Sequence, residues 1–126
     1  MKEKIIETFK DLTDSKITCP LSATLKSINA SNLKLVGQTF NAFLGLSEEY
    51  ILIAFFSKQN MKEPIYKTKL SFSNIKEVLI KETSLTKLKI IDMYGINNEY
   101  FKFTLSGSNE EKEIDEFINT LINIKN

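Results

Sequence analysis

The sequence predicts an α+β domain: a strand-rich antiparallel body with helical segments at both ends. Three observations carry that reading. Near the C-terminus, Ile114, Phe117, Ile118, Leu121 and Ile122 recur at i, i+3, i+4, i+7 and i+8, one apolar stripe at helical period. Between Leu33 and Ser106 the period falls towards two, in runs bounded by short turn signals. Ahead of Leu33 the apolar residues return to wider, helix-like spacing. At 126 residues the chain is most simply one domain with a core of its own.

In chain order, residues 2–13 read as a short helix with Ile5, Ile6, Phe9 and Leu12 on one side. Thr13, Asp14 and Ser15 break the pattern. Pro20 then opens a second helical register carrying Leu21, Leu25 and Ile28, since proline is tolerated in a first turn. Asn29 to Asn32 reads as a loop. Residues 1–32 are thus expected to be a helical N-terminal segment, docked on the body or extended as an assembly arm, and residues 33–126 the body itself.

From Leu33 to Leu46 the chain reads as a long strand, with Gly37 and Gly45 as sites for a bulge or sharp coil. Ser47-Glu48-Glu49 is a tight turn. Tyr50 to Phe56 is apolar at every position, as expected of a strand covered on both faces. A polar loop, Ser57 to Pro64, leads to Ile65–Phe72, where Tyr66, Thr68, Leu70 and Phe72 alternate with Lys67 and Lys69. After a bend at Ser73-Asn74, Ile75 to Thr83 is another strand, with Val78 and Ile80 facing one way. Leu85–Gly95 and Glu99–Ser106 form a hairpin through Ile96-Asn97-Asn98, asparagine tolerating the positive φ of such turns. With Asn97 and Asn98 as the two central residues, Leu88, Ile90, Tyr94, Phe101, Phe103 and Leu105 share the inner face.

Ser108 to Ile124 closes the chain as a helix. Ser108 and Glu111 fit a capping box, and Glu110, Glu111, Glu113, Asp115 and Glu116 crowd the positive end of the helix dipole, with Lys125 beyond the other end. So short a helix is marginal alone in water. Burying its five apolar side chains contributes roughly 1.5–3 kcal/mol each, so the stripe needs a partner surface. The strand-rich body is the large one available.

The composition narrows the chemistry. The net charge is +1, so no global field recruits nucleic acid or an acidic membrane. Every basic residue is lysine; arginine, histidine and tryptophan are absent, in keeping with an AT-rich coding bias. The chain therefore lacks a bidentate fork for phosphate or carboxylate and an imidazole for acid–base work or metal binding. Cys19 has no disulfide partner within the chain, which suits a reducing compartment. The N-terminus, Met1-Lys2-Glu3-Lys4, is too charged for a signal peptide. The longest apolar run, Tyr50–Phe56, is too short to cross a bilayer. A cytoplasmic, non-enzymatic protein with no metal or cofactor is the expectation.

The phrase Lys69-Leu70-Ser71-Phe72-Ser73-Asn74-Ile75-Lys76-Glu77-Val78, running into Leu88-Lys89-Ile90-Ile91, resembles the bacterial pleckstrin-homology-like (PH-like) domains. In that family a strand, a polar residue, Ile, two residues and Val join two middle strands, and a C-terminal helix plugs one end of the curled sheet. Ile75 and Val78 match the phrase; Phe117, Ile118, Leu121 and Ile122 match the plug. The resemblance covers roughly residues 33 to 124. It implies a strongly bent antiparallel barrel of about six to seven strands. The helical segment ahead of the first strand departs from the family pattern. So does the first hairpin loop, Leu46 to Tyr50, which is acidic where phosphoinositide-binding relatives are basic.

Several constellations are candidates for function. The acidic run at 110–116 offers oxygen ligands, but a helix spreads them around its solvated face, and dipole complementation explains them. Cys19 has no histidine to activate it and reads as a small buried apolar group. Lys67, Lys69, Lys87 and Lys89 define a basic sheet face that would meet anionic lipid peripherally; as a nucleic-acid surface the strip is too sparse. With Leu88 and Ile90 inward, parity turns Ile91 and Met93 outward beside Tyr100, an apolar patch suited to a protein partner or a second copy. The same parity points Asp92 inward. Protein contact or self-association is the leading functional expectation, and peripheral lipid binding the alternative. A carrier role, which would need an unfilled apolar cavity under the C-terminal helix, is the third.

Overall fold

The computed structural model describes residues 1–30 and 33–124. Helix α1 (Lys2–Phe9) precedes strands β1 (Thr18–Ala30), β2 (Leu33–Leu46), β3 (Tyr50–Phe56) and β4 (Tyr66–Ser71). A short 3-10 turn at Phe72–Asn74 leads to β5 (Ile75–Glu82), β6 (Lys89–Gly95), β7 (Tyr100–Leu105) and helix α2 (Glu111–Ile124). The strands form one sheet in the order β4-β3-β2-β1-β7-β6-β5, every pairing antiparallel. The sheet curls into a half-barrel, so the α+β class holds.

The main correction concerns residues 18–30. They form the central strand β1, paired with β2 on one side and β7 on the other, and are not a second helix. Cys19, Leu21, Ala23 and Leu25 are buried at strand period. The register then shifts between Leu25 and Ser27, and burial resumes at Ile28 and Ala30. That irregularity leaves Leu21, Leu25 and Ile28 at spacings of four and three, which imitates a helix. The same irregularity falls opposite residues 37–39 of β2, where a glycine bulge is expected. Asn29 and Ala30 belong to β1; the remainder of the expected loop, Ser31 and Asn32, lies outside the described residues, as does Lys125.

The sheet is packed on both faces in one half. On the inner face, Leu21, Leu44, Ile53, Phe55, Phe101 and Phe103 join Phe117 and Leu121 of α2 in the larger core. On the outer face, Ile5 and Phe9 of α1 pack on Phe43, Leu52, Ala54 and Phe56 as a second, smaller cluster. This is why Tyr50–Phe56 is apolar at every position: β3 is sandwiched between the two cores. The N-terminal helix thus docks in cis. Gly45 lies directly beneath this segment; a Cβ there would sit in contact with it, 3.4 Å from both Phe9 Cδ2 and Ile17 Cγ2.

The C-terminal helix is the stopper expected from its stripe, with Phe117 and Leu121 buried, Ile114 and Ile118 half-buried and Ile122 exposed. Beneath it, Phe117 and Leu121 pack against the inner-face residues of the sheet, with Ile114 and Ile124 at the margin. The capping box does not form. Ser108 Oγ lies 2.8 Å from Ser106 Oγ. Asn109 instead anchors the approach to α2, accepting from the Ser22 amide (2.8 Å) and donating to the carbonyls of Ser22 (2.8 Å) and Ser106 (2.9 Å).

The β6–β7 hairpin also differs from expectation. Tyr94 pairs with Tyr100, Met93 with Phe101 and Ile91 with Phe103, so Ile96-Asn97-Asn98 is a three-residue loop closed by the Gly95 amide on the Glu99 carbonyl. Asn98 takes the left-handed conformation at φ 68°. A two-residue turn centred on Asn97 and Asn98 would shift the register by one and exchange the faces. In the observed register Ile91 and Met93 are buried in the inner core, while Ile90, Asp92 and Tyr94 lie on the outer side.

Candidate functional site

The outer face of β5, β6 and β7 and the open edge of β5 are the most chemically distinctive surface. Among the described residues, α1 packs on the outer face over β2 and β3, and the buried side chains of α2 lie in the inner core. The centre of the β5–β7 outer face is Asp92, a carboxylate 4% exposed although it points away from the inner core. Tyr100 on the neighbouring strand donates its phenolic proton to Asp92 Oδ1 at 2.7 Å, and Lys81 Nζ stands 3.9 Å from Oδ2. Tyr94 stacks on Tyr100 with ring centroids 4.9 Å apart. Burial, and then the hydrogen bond to Asp92, push the Tyr100 phenol above its ordinary range. The arrangement is a satisfied polar ladder that fixes the face of the hairpin.

Beside it runs the edge of β5. Among the described residues β6 is its strand neighbour on one side, and no strand lies on the other. The Thr83 amide donates to the Leu88 carbonyl at 2.9 Å, which sets the direction of the backbone groups that precede it. By antiparallel alternation, Lys81, Leu79 and Glu77 aim their amides and carbonyls at β6, while Glu82, Ile80 and Val78 aim theirs off the sheet. Leu79 is 41% exposed, and Lys76, Glu77, Lys81 and Glu82 are exposed around it. Such an edge is a template for an added strand.

Of the three residues expected to form an apolar contact patch, Tyr100 is half-buried on the outer face, whereas Ile91 and Met93 are each 1% exposed in the core. The hairpin register removes them from the surface. The four lysines are dispersed: β4, which carries two of them, and β6 are separated in the sheet by β3, β2, β1 and β7. Lys67 Nζ bonds Asp11 (2.8 Å) and the Thr8 carbonyl (3.0 Å), and holds the Asp11 carboxyl below its usual range. Lys69 Nζ bonds the Leu12 carbonyl (2.9 Å) and lies 4.5 Å from the Tyr50 ring centroid. Both therefore hold the N-terminal segment to the sheet. Lys89 pairs with Glu82 at 2.7 Å, and Lys87 sits in the β5–β6 turn at φ 58°.

Two groups read separately in the sequence meet in the fold. Cys19, at φ 50° in the irregular start of β1, donates its thiol proton to Glu116 Oε2 of α2 at 2.9 Å, with Glu113 close by. Burial and the two carboxylates push the thiol up to about 12, so it is neutral at ordinary pH and acts as a clasp between strand and helix. Lys2 reaches across from α1 to Glu110 (2.9 Å) and Glu113 (3.9 Å). No periodicity could have announced this juxtaposition, because the two partners of the Cys19–Glu116 bond lie 97 residues apart. The Asp92–Tyr100 pair was legible in principle, as a cross-strand pairing that needs only the right turn length.

No family model and no curated protein matches the sequence. Among solved structures the chain is similar to the C-terminal domain of an unknown protein from Leishmania infantum. The TM-score is 0.62 at 10% identity, covering 98% of this chain and 97% of that one. At that identity the likeness is one of fold. Among the described residues, no helix is long and apolar enough to cross a membrane.

Proposed function

We propose that this chain is a non-enzymatic assembly module with a PH-like fold, acting through protein contact or self-association. The observation that carries the reading is the free edge of β5, which leaves the backbone groups of Val78, Ile80 and Glu82 directed off the sheet beside an exposed Leu79. The PH-like assignment draws on the resemblance around Ile75 and Val78 and on the buried Phe117 and Leu121 beneath a curled sheet. A cytoplasmic setting fits the single free thiol, Cys19. The alternative, anionic lipid bound through Lys67, Lys69, Lys87 and Lys89, has less behind it, since three of the four already hold internal partners.

The test compares two baits, the unaltered chain and Val78→Pro, in a pull-down from the native cell. Proline at an outward-facing edge position spares the β5–β6 ladder and removes a donor from the free edge. The unaltered chain is expected to retain its partners, copies of itself included, and Val78→Pro to lose them. Identical recovery by both baits would contradict the reading.

A further inference from the structure

β5 reads Ile75-Lys76-Glu77-Val78-Leu79-Ile80-Lys81-Glu82, and its charges are placed antisymmetrically about Leu79. Set against a second copy in antiparallel fashion, with the two Leu79 residues opposite each other, Lys76 meets the partner's Glu82 and Glu77 meets the partner's Lys81. Val78 meets the partner's Ile80. All eight charges of the two strands then stand opposite a charge of the other sign. We propose that β5 pairs with β5 of a second copy in this register, forming a two-fold dimer whose sheet runs unbroken through both chains. The inference rests on the protein-contact reading above and names the partner as the chain itself.

The backbone agrees with the register. Val78, Ile80 and Glu82 direct their amides and carbonyls off the sheet, so Val78 and the partner's Ile80 form a hydrogen-bonded pair on each side of a non-hydrogen-bonded Leu79 pair. Moving the axis to Val78 sets Glu77 against Leu79, and moving it to Ile80 sets Lys81 against Leu79; neither pairs the charges. Leu79, among the exposed large apolar residues at 41%, falls on the axis, where its counterpart covers it. Lys89 occupies one oxygen of Glu82, Oε2, and leaves the other for the partner's Lys76. The opposite edge of the sheet behaves differently. On β4 an antiparallel self-pairing about Thr68 would set Lys67 against Lys69, like charge on like, so that edge discourages what β5 favours. An isologous contact of this kind closes at two chains.

The register is tested directly with single cysteines on the full chain. Opposed residues of a non-hydrogen-bonded pair lie about 4.5 Å apart at Cα, within disulfide reach. Leu79→Cys is therefore expected to give a disulfide-linked dimer on mild oxidation, and Glu77→Cys to give little, being about four residues out of line with its own counterpart. Cys19, buried and protonated, does not compete. Sedimentation supplies the second arm. Glu77→Lys sets two lysine pairs against each other and is expected to weaken the dimer about tenfold or more. Lys81→Glu alone likewise weakens it, whereas an equimolar mixture of the two variants restores a complementary heterodimer.

Equal cross-linking of Leu79→Cys and Glu77→Cys, or a chain that stays monomeric up to about 1 mM, overturns the inference. A dimer that Leu79→Cys does not lock and Glu77→Lys does not weaken also overturns it, while leaving the protein-contact reading standing. That broader reading falls only if Val78→Pro recovers the same partners as the unaltered chain.

Discussion

The two halves of the sheet are finished differently. β3 is buried from Ile51 to Phe56 because α1 covers its outer face while the main core fills the inner one. β5, of similar length, buries Ile75, half-buries Val78 and Ile80, and leaves the rest in solvent. The β3 half is closed by Phe9 in its outer cluster and by Lys67 and Lys69 tied to the N-terminal segment. Among the described residues the outer cluster under α1 does not extend to the β5 half, whose outer face is satisfied by polar pairing around Asp92. The contrast teaches that this chain uses its N-terminal segment to seal one flank and leaves the other flank available.

The largest expected effect comes from undoing the seal. Phe9→Ala removes a fully buried ring from the smaller core, and urea unfolding should show a loss of about 3–5 kcal/mol. If the loss stays below about 1 kcal/mol, the helix is a passive cover and the contrast between the halves weakens.

A second effect is expected at high pH through Cys19, whose folded thiol is raised to about 12 from an ordinary value near 9.0. The unfolded thiol ionises first as pH rises, so the unfolded state holds fewer protons and stability falls. The contribution is complete below about pH 9 and is lost progressively towards the folded value, by at most about tenfold in the folding equilibrium per pH unit. Comparing unfolding of the unaltered chain and Cys19→Ala between pH 8 and 11 checks this. The variant should show the shallower decline, and parallel curves would refute the clasp.

The smallest effect belongs to the open flank. Leu79→Ala, measured at dilutions where sedimentation shows a monomer, should change stability by no more than about 0.5 kcal/mol. A loss comparable to that of Phe9→Ala would mean that the β5 flank is as closed as the β3 flank.

Much of the architecture was legible because the local signals agreed. The alternation of Leu33–Leu46 and Ile65–Phe72, the unbroken apolar run Tyr50–Phe56 and the helical stripe ending at Ile122 each appear as the elements they suggest. Residues 18–30 misled because the irregularity at Lys26 breaks strand parity at the point where Leu25 and Ile28 imitate a helical face, and the small Ala23 adds little to either pattern. The candidate patch at Ile91 and Met93 turned on one residue of loop length, to which side-chain parity is maximally sensitive. The antisymmetric charges of β5 were visible in the sequence but acquire meaning only once that strand lies at an edge.

The amino-acid sequence by itself determined that this chain would build an antiparallel sheet stoppered by an amphipathic C-terminal helix, because hydrophobic period is a local property of neighbouring residues. Only the tertiary structure decided which faces of β6 were inner and outer, that residues 18–30 lie at the centre of the sheet, and that β5 lies at its edge, with β6 on one side. Those outcomes depend on register and strand order, and pairings between distant segments set both.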